Sequence, residues 1–284
     1  MDSFQDHGGT RALQNRMSTR SQRKSRSKMN KPRKLLDELE NRVATKKIGD
    51  GILEYYKDEQ KEIATFFAFF KPENRQKNLK LDAMLYDRTR VVLTDGTSDY
   101  YHASWVVGVT SEKMYCLAQA PIKRTVEDFW RLVGQIKPEA IVFLESCDSD
   151  EAKLLLENKK AGSEVEEVDG WEVFKVTETK TKIYSLLGWT EDHKPPQFLD
   201  ALEKLRETVP HESKSPILVV CKDGGSRSGI FTLIDMEFDR MRKGRTKFVE
   251  TLRSLRQQRY NAVDTFELFD AALNLFCDMA KKHS

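Results

Sequence analysis

A cysteine and an arginine six positions apart, Cys221 and Arg227, enclose Lys222, Asp223, Gly224, Gly225 and Ser226. A thiol followed by a glycine-bearing turn that opens a helix suits the holding of a phosphate dianion. The turn aims successive N–H groups at one point, and the helix N-terminus adds positive potential. An arginine at the far end grips two phosphate oxygens through its planar fork. That field is expected to lower the pKa of Cys221, since a free thiol near ~8.5 is only a few per cent thiolate at pH 7. A lone cysteine more often ends a core strand as a buried structural thiol. Here turn, arginine and helix stand in the order phosphate chemistry needs, which favours a thiolate facing a bound phosphoryl group.

The elements that must position these residues follow from periodicity. The apolar run 217–220 predicts a strand leading into the cysteine, and a helix begins near Ser228. Residues 99–109, 113–120, 140–144, 171–176 and 182–187 read as further strands, rich in β-branched and aromatic side chains. Helices are expected over 35–46, 54–70, 125–135 and 196–208, the second stopped by Pro72 and the last opened by Pro196. Phe248, Leu252 and Leu255 mark one later helix face, and Phe266, Phe269, Leu273 and Phe276 another. Both stripes read as core contacts. The acids between Glu145 and Glu167 read as a solvated helix and loop.

The loop resembles the signature of the protein-tyrosine-phosphatase family: Cys221, five residues, Arg227, then Ser228 and Gly229. Lys77-Asn78, Asp82, Tyr86-Asp87 and Arg90 to Leu93 resemble the family's phosphotyrosine-recognition loop and the strand after it. Asp99 to Ser104 resembles its Asp-Tyr-Ile-Asn-Ala-Ser strand, and Gln119-Ala120-Pro121 with Phe129-Trp130 its Gln-Gly-Pro turn and Phe-Trp helix. Gly188-Trp189 resembles the start of the mobile acid loop, and 255–259 the approach to the glutamine loop. The resemblance spans about Phe66 to Leu273. It implies an α/β fold with a twisted mixed β-sheet flanked by helices on both sides.

The mechanism it implies is attack of the Cys221 thiolate on a phosphate monoester, proton donation to the leaving phenolate, then hydrolysis of the phosphocysteine. Arg227 and the amides of residues 222–226 would stabilise the equatorial oxygens. Ser228, if its hydroxyl faces Cys221, helps the thiolate leave; otherwise it is an ordinary first-turn residue.

Around that core the pattern departs from the family. Val220 replaces the histidine before the cysteine. Asp223 stands where hydrolytic members carry a small residue; a carboxylate ~6 Å from phosphate costs about 3 kcal/mol at an effective dielectric of ~20. Lys222 offsets part of that. Trp-Pro-Asp becomes Trp189-Thr190-Glu191-Asp192-His193, leaving Glu191 or Asp192 as the acid, with Asp192 equally readable as a helix cap. Lys80 replaces the tyrosine that sandwiches the substrate ring, and Leu79 an arginine. Asp82 matches the family aspartate that holds the peptide backbone, or is a turn residue. In the glutamine loop, Asp264 and Leu268 replace both glutamines, and Asp264 with Glu267 reads as a capping box.

Composition agrees with one domain and an extension. The 284 residues accommodate an α/β domain of about 250. Four cysteines, Cys116, Cys147, Cys221 and Cys277, show neither paired nor metal-ligand spacing, which suits a reducing compartment. No run of ~18 apolar residues and no leader pattern occurs. Residues 1–34 hold ten Lys or Arg and two Asp, a balance of +8, leaving −5 of the whole-chain +3 for residues 35–284. That tail lacks apolar residues for a core and is expected to be disordered. It is a nuclear-localisation signal, a patch for acidic partners, or a solvated arm without one.

The expectation is a basic tail over 1–34 and a tyrosine-phosphatase-like domain over 35–284, cytoplasmic or directed to the nucleus by the tail. No cofactor or metal is expected, and the partner is a phosphotyrosine-containing protein. The kept cysteine and arginine with an altered surround point to phosphotyrosine binding with hydrolysis slow or lost. A working phosphatase, and a scaffold using another surface, are the alternatives.

Overall fold

The computed structural model describes residues 37, 41 and 64–283, apart from 111–112, 146–148, 157–160, 169–170, 178, 187–188, 190–196 and 210–214. The expected basic tail, both acid candidates Glu191 and Asp192, and most of the helices expected over 35–46 and 54–70 lie outside the described residues. The chain divides into one unit of residues 62–276 and a second of residues 1–61 with 277–284. The candidate site lies wholly in the first.

In chain order the elements are α1 (Phe67–Phe70), a 3-10 turn (Pro72–Lys77), β1 (Arg90–Val92), β2 (Tyr100–Val107), β3 (Met114–Gln119), α2 (Val126–Ile136), β4 (Ala140–Phe143), α3 (Asp150–Leu156), β5 (Ala161–Val168), β6 (Trp171–Val176), β7 (Lys182–Leu186), α4 (Phe198–Thr208), β8 (Ile217–Cys221), α5 (Arg227–Arg242), α6 (Phe248–Gln258) and α7 (Phe266–Lys282). The strands form one sheet in the order β1-β2-β3-β8-β4-β7-β6-β5. Its centre, β3-β8-β4-β7, is parallel, and the outer pairs are antiparallel. Helices cover both faces, as the family resemblance implies.

The centre is parallel because its strands are apolar on both faces. Every residue of β4 and of β8 is buried, a pattern tolerated only where helices cover both sides. Phe129, Trp130, Leu132 and Val133 are the buried face of α2, which ends where Lys137 turns left-handed before Pro138. α5 is buried along most of its first three turns, from Ser228 to Phe238.

Strand β8 sits between β3 and β4, although both precede it in sequence by many residues. Ligand crevices of open α/β sheets form outside the carboxyl ends of parallel strands where the connection order changes. At that edge Gln119 is in register with Cys221, and the Leu144 N–H bonds to Val220 O at 2.8 Å.

One expectation is corrected. The acids after Glu145 do not all lie in a solvated helix and loop: residues 150–156 are helical, but residues 161–168 form the edge strand β5. Thr265 caps α7, its Oγ1 accepting the Leu268 N–H at 3.3 Å.

Candidate phosphate-binding site

β8 ends at Cys221, the chain turns through Asp223 to Ser226, and α5 begins at Arg227, so the loop opens at a helix N-terminus in the predicted order. Gly224 makes the turn possible. Its φ is +69°, and a Cβ there would stand 2.5 Å from Gln119 N, so a side chain meets both a left-handed backbone and a neighbouring strand.

Arg259 fixes the loop from behind. Buried, it donates Nε to Gly224 O and Nη2 to Asp223 O, both at 2.9 Å. Two loop carbonyls are thereby held away from the pocket. The same guanidinium lies 3.3 Å from His102 Nδ1, and His102 Nε2 lies 2.7 Å from Ala83 O. Protonation at Nε2 alone satisfies both contacts. Burial and the adjacent Arg259 push His102 down to about 3, so it stays neutral. Val263, in a left-handed conformation (φ 57°) uncommon for a β-branched residue, donates its N–H to Gly225 O.

The structure brings Cys221, Asp223, Ser226, Arg227, Ser228 and Lys80 together. Ser228 Oγ lies 3.2 Å from Cys221 Sγ, as its proposed role requires. Arg227 donates Nη1 to Glu145 Oε2 at 2.7 Å and to Leu144 O at 3.1 Å. Glu145 also accepts the Lys222 N–H at 2.6 Å. Burial first, despite Arg227, raises the Glu145 pKa. Trp189 is buried against Phe198, its ring centroid 6.0 Å from the Arg227 guanidinium carbon.

Asp223 behaves differently from the carboxylate the spacing suggests. It turns into the loop, where Oδ1 accepts the N–H groups of Gly225 and Ser226, both at 2.9 Å. Oδ2 accepts Ser226 Oγ at 2.5 Å and Lys80 Nζ at 2.8 Å. Burial opposes its charge, but the bonds from Lys80, Ser226 and Gly225 outweigh it and hold the carboxyl well below the usual range. With the Gly224 N–H bonded to Cys221 O at 3.1 Å, the amides of Lys222, Gly224, Gly225 and Ser226 all have acceptors within the protein.

The expected lowering of the Cys221 pKa is overturned. Burial first, then the carboxylates of Asp223 and Glu145, push the thiol up to about 12, although Ser228 opposes them. Lys80 is exposed along its side chain, with its ammonium paired to Asp223. Burial works against its charge, yet that pairing leaves its pKa raised. Asp264 is half-buried, and burial followed by the nearby Asp223 raises its pKa. Asp82 and Lys222 are exposed. Val220 and Leu268, which replace polar residues of the family pattern, are buried.

Glu145, Arg259 and His102 belong to the site and were not singled out from sequence. Glu145 carried a usable signal: it follows the apolar run 140–144, at the strand end where α/β sheets place ligands. Among the described residues no cluster of His, Cys, Asp and Glu fits a metal ion, and no helix is long and apolar enough to cross a membrane.

The family model for "Protein-tyrosine phosphatase" matches residues 74–157 and 153–278. The chain belongs to the protein-tyrosine phosphatase family. It is 25% identical over 232 residues to a probable tyrosine phosphatase protein N1 of Microplitis demolitor bracovirus, covering 69% of this chain and 73% of that protein. Against the receptor-type tyrosine-protein phosphatase N2 of Mus musculus it is 28% identical over 270 residues, 84% of this chain but 26% of the receptor. The crystal structure of the catalytic domain of human protein tyrosine phosphatase non-receptor type 18 superposes with a TM-score of 0.67 at 20% identity, covering 84% of this chain and 96% of that one. That likeness carries the fold.

Proposed function

We propose that this phosphatase-family domain binds phosphotyrosine in the Cys221–Arg227 loop, with hydrolysis slow or lost. One observation carries the reading: the loop amides of Gly225 and Ser226 already grip an anion, the Asp223 carboxylate, while the thiol beside it is pushed up to about 12. Both observations support a loop that holds negative charge rather than one that attacks phosphorus. A phosphate must displace Asp223 to reach the amides, and Arg227, oriented by Glu145, supplies the guanidinium contact. The partner is a protein or peptide bearing phosphotyrosine.

Titration with a phosphotyrosine peptide and its unphosphorylated twin tests this. Binding is expected only with the phosphate, and Arg227→Met should weaken it tenfold or more, the fork being the strongest anion contact available. Undiminished binding in that variant places recognition on another surface.

The retained Ser228–Cys221 contact favours a second reading, a working phosphatase with Glu191 or Asp192 as acid. Hydrolysis of an aryl phosphate by the parent chain should not exceed that of Cys221→Ser; a rate abolished by that substitution establishes the enzyme instead.

A further inference from the structure

The anion the loop holds carries one negative charge, and its surroundings are balanced for one. Charged or titratable groups face the cradle from each described segment around it. The loop supplies Cys221, kept as the neutral thiol, Asp223 and Arg227, with Lys222 exposed at its edge. The end of β4 supplies Glu145, paired with Arg227 at 2.7 Å. The recognition segment supplies Lys80, paired with Asp223 at 2.8 Å, and the exposed Asp82, near enough to Lys80 to favour its charge. β2 supplies His102, which is neutral. The α6–α7 connection supplies Arg259, committed to two loop carbonyls, and Asp264, close enough to Asp223 and Lys80 to feel both. Lys80, Lys222, Arg227 and Arg259 are thus matched by Asp223, Glu145, Asp264 and Asp82. A ligand that displaces the Asp223 carboxylate does not remove its charge, because Asp223 stays on the same turn. The second charge of a phosphate dianion meets no surplus of positive charge among these residues.

We infer that the cradle selects singly charged aryl oxyesters, an aryl sulfate or the protonated form of an aryl phosphate, over the phosphate dianion. The inference rests on the proposed reading of the loop as an anion site and names the charge state that site takes. An aryl sulfate offers the same tetrahedral set of terminal acceptor oxygens as a phosphate and keeps a single charge across the neutral range. An aryl phosphate releases its second proton near pH 6, so its singly charged fraction falls from about three quarters at pH 5.5 to about 3% at pH 7.5. Sulfated tyrosine is the side chain that meets the requirement at neutral pH.

The test titrates N-acetyl-phosphotyrosine amide and N-acetyl-sulfotyrosine amide into the full chain between pH 5.5 and 7.5, read by calorimetry. Relative to the sulfate, the phosphate should weaken about twentyfold over that interval, following its own protonation. At pH 7.5 the sulfate should bind at least as tightly. Asp264→Asn, which removes one negative charge without changing side-chain size, should strengthen phosphate binding at pH 7.5 more than sulfate binding. A ratio that stays flat with pH, or a phosphate tighter than the sulfate at pH 7.5, overturns the inference and leaves the anion site standing. Binding of neither ligand at any pH removes the anion site and the inference together.

Discussion

Phosphotyrosine is expected to bind the Asp223→Ala variant about a hundredfold more tightly than the parent chain. The substitution releases the N–H groups of Gly225 and Ser226, which the carboxylate now occupies, and removes a negative charge that any phosphate must approach. At ~6 Å and an effective dielectric of ~20 that repulsion alone is about 3 kcal/mol, a factor of roughly 10² in affinity. The thiol should also titrate at lower pH, because the Asp223 carboxylate is the largest contributor to its raised pKa after burial. The loop is not expected to collapse, since Arg259 holds the carbonyls of residues 223 and 224 whatever the side chain at 223. Calorimetric titration of both chains with phosphotyrosine at one pH decides it. Equal affinities mean that the carboxylate does not compete for the nest.

The largest loss of stability is expected from Asp235→Ala, at the other end of β3. Asp235 on α5 accepts from Lys113 at 2.7 Å, from the Tyr115 hydroxyl at 2.6 Å and from Arg206, while Asp239 also pairs with both cations. Lys113 and Arg206 are buried. Removing their shared carboxylate leaves two cations in the interior with half their compensation, a change that typically costs 3–5 kcal/mol. For a domain of this size that corresponds to a melting point lower by roughly 6–20 °C. Burial opposes the Asp235 charge, but Lys113 and Arg206 hold its carboxyl well below the ordinary value in the folded state. Its contribution is therefore complete above the unfolded value near pH 4 and is lost as the pH falls further. Denaturant melts at pH 7 and pH 3 should accordingly show a wide gap between parent and variant that narrows in acid. A variant as stable as the parent at pH 7 would show that Asp239 suffices for both cations.

The central sheet was legible because β4 and β8 are short uninterrupted apolar runs, which only a strand covered on both faces explains economically. The phosphate loop was legible for a related reason: spacing, glycine and helix start are backbone requirements, and backbone requirements leave marks in sequence. β5 was not, since Gly162 and the acids Glu164, Glu166 and Glu167 hide its period. Register with β6, a tertiary contact, makes it a strand.

Side-chain direction was the other illegible quantity. Nothing in the order of residues says that Asp223 turns inward to its own loop's amides, or that Glu145 leaves the solvated stretch to meet Arg227. Both outcomes depend on distances across the crevice between β3, β8 and β4. Thr265, directly before the first residue of α7, accepts the Leu268 N–H, and Asp264 lies near enough to Asp223 for the two charges to act on each other.

The bracing of the loop by Arg259 and His102 separates shape from chemistry. Because one interior guanidinium orders the turn from the side opposite the opening, no visiting molecule has to organise it. Replacements at positions that do not brace the turn, such as 80, 223 and 264, can then accumulate without unravelling the fold, while any at 102 or 259 would be felt throughout it. A lineage can in this way shed turnover and retain the mould.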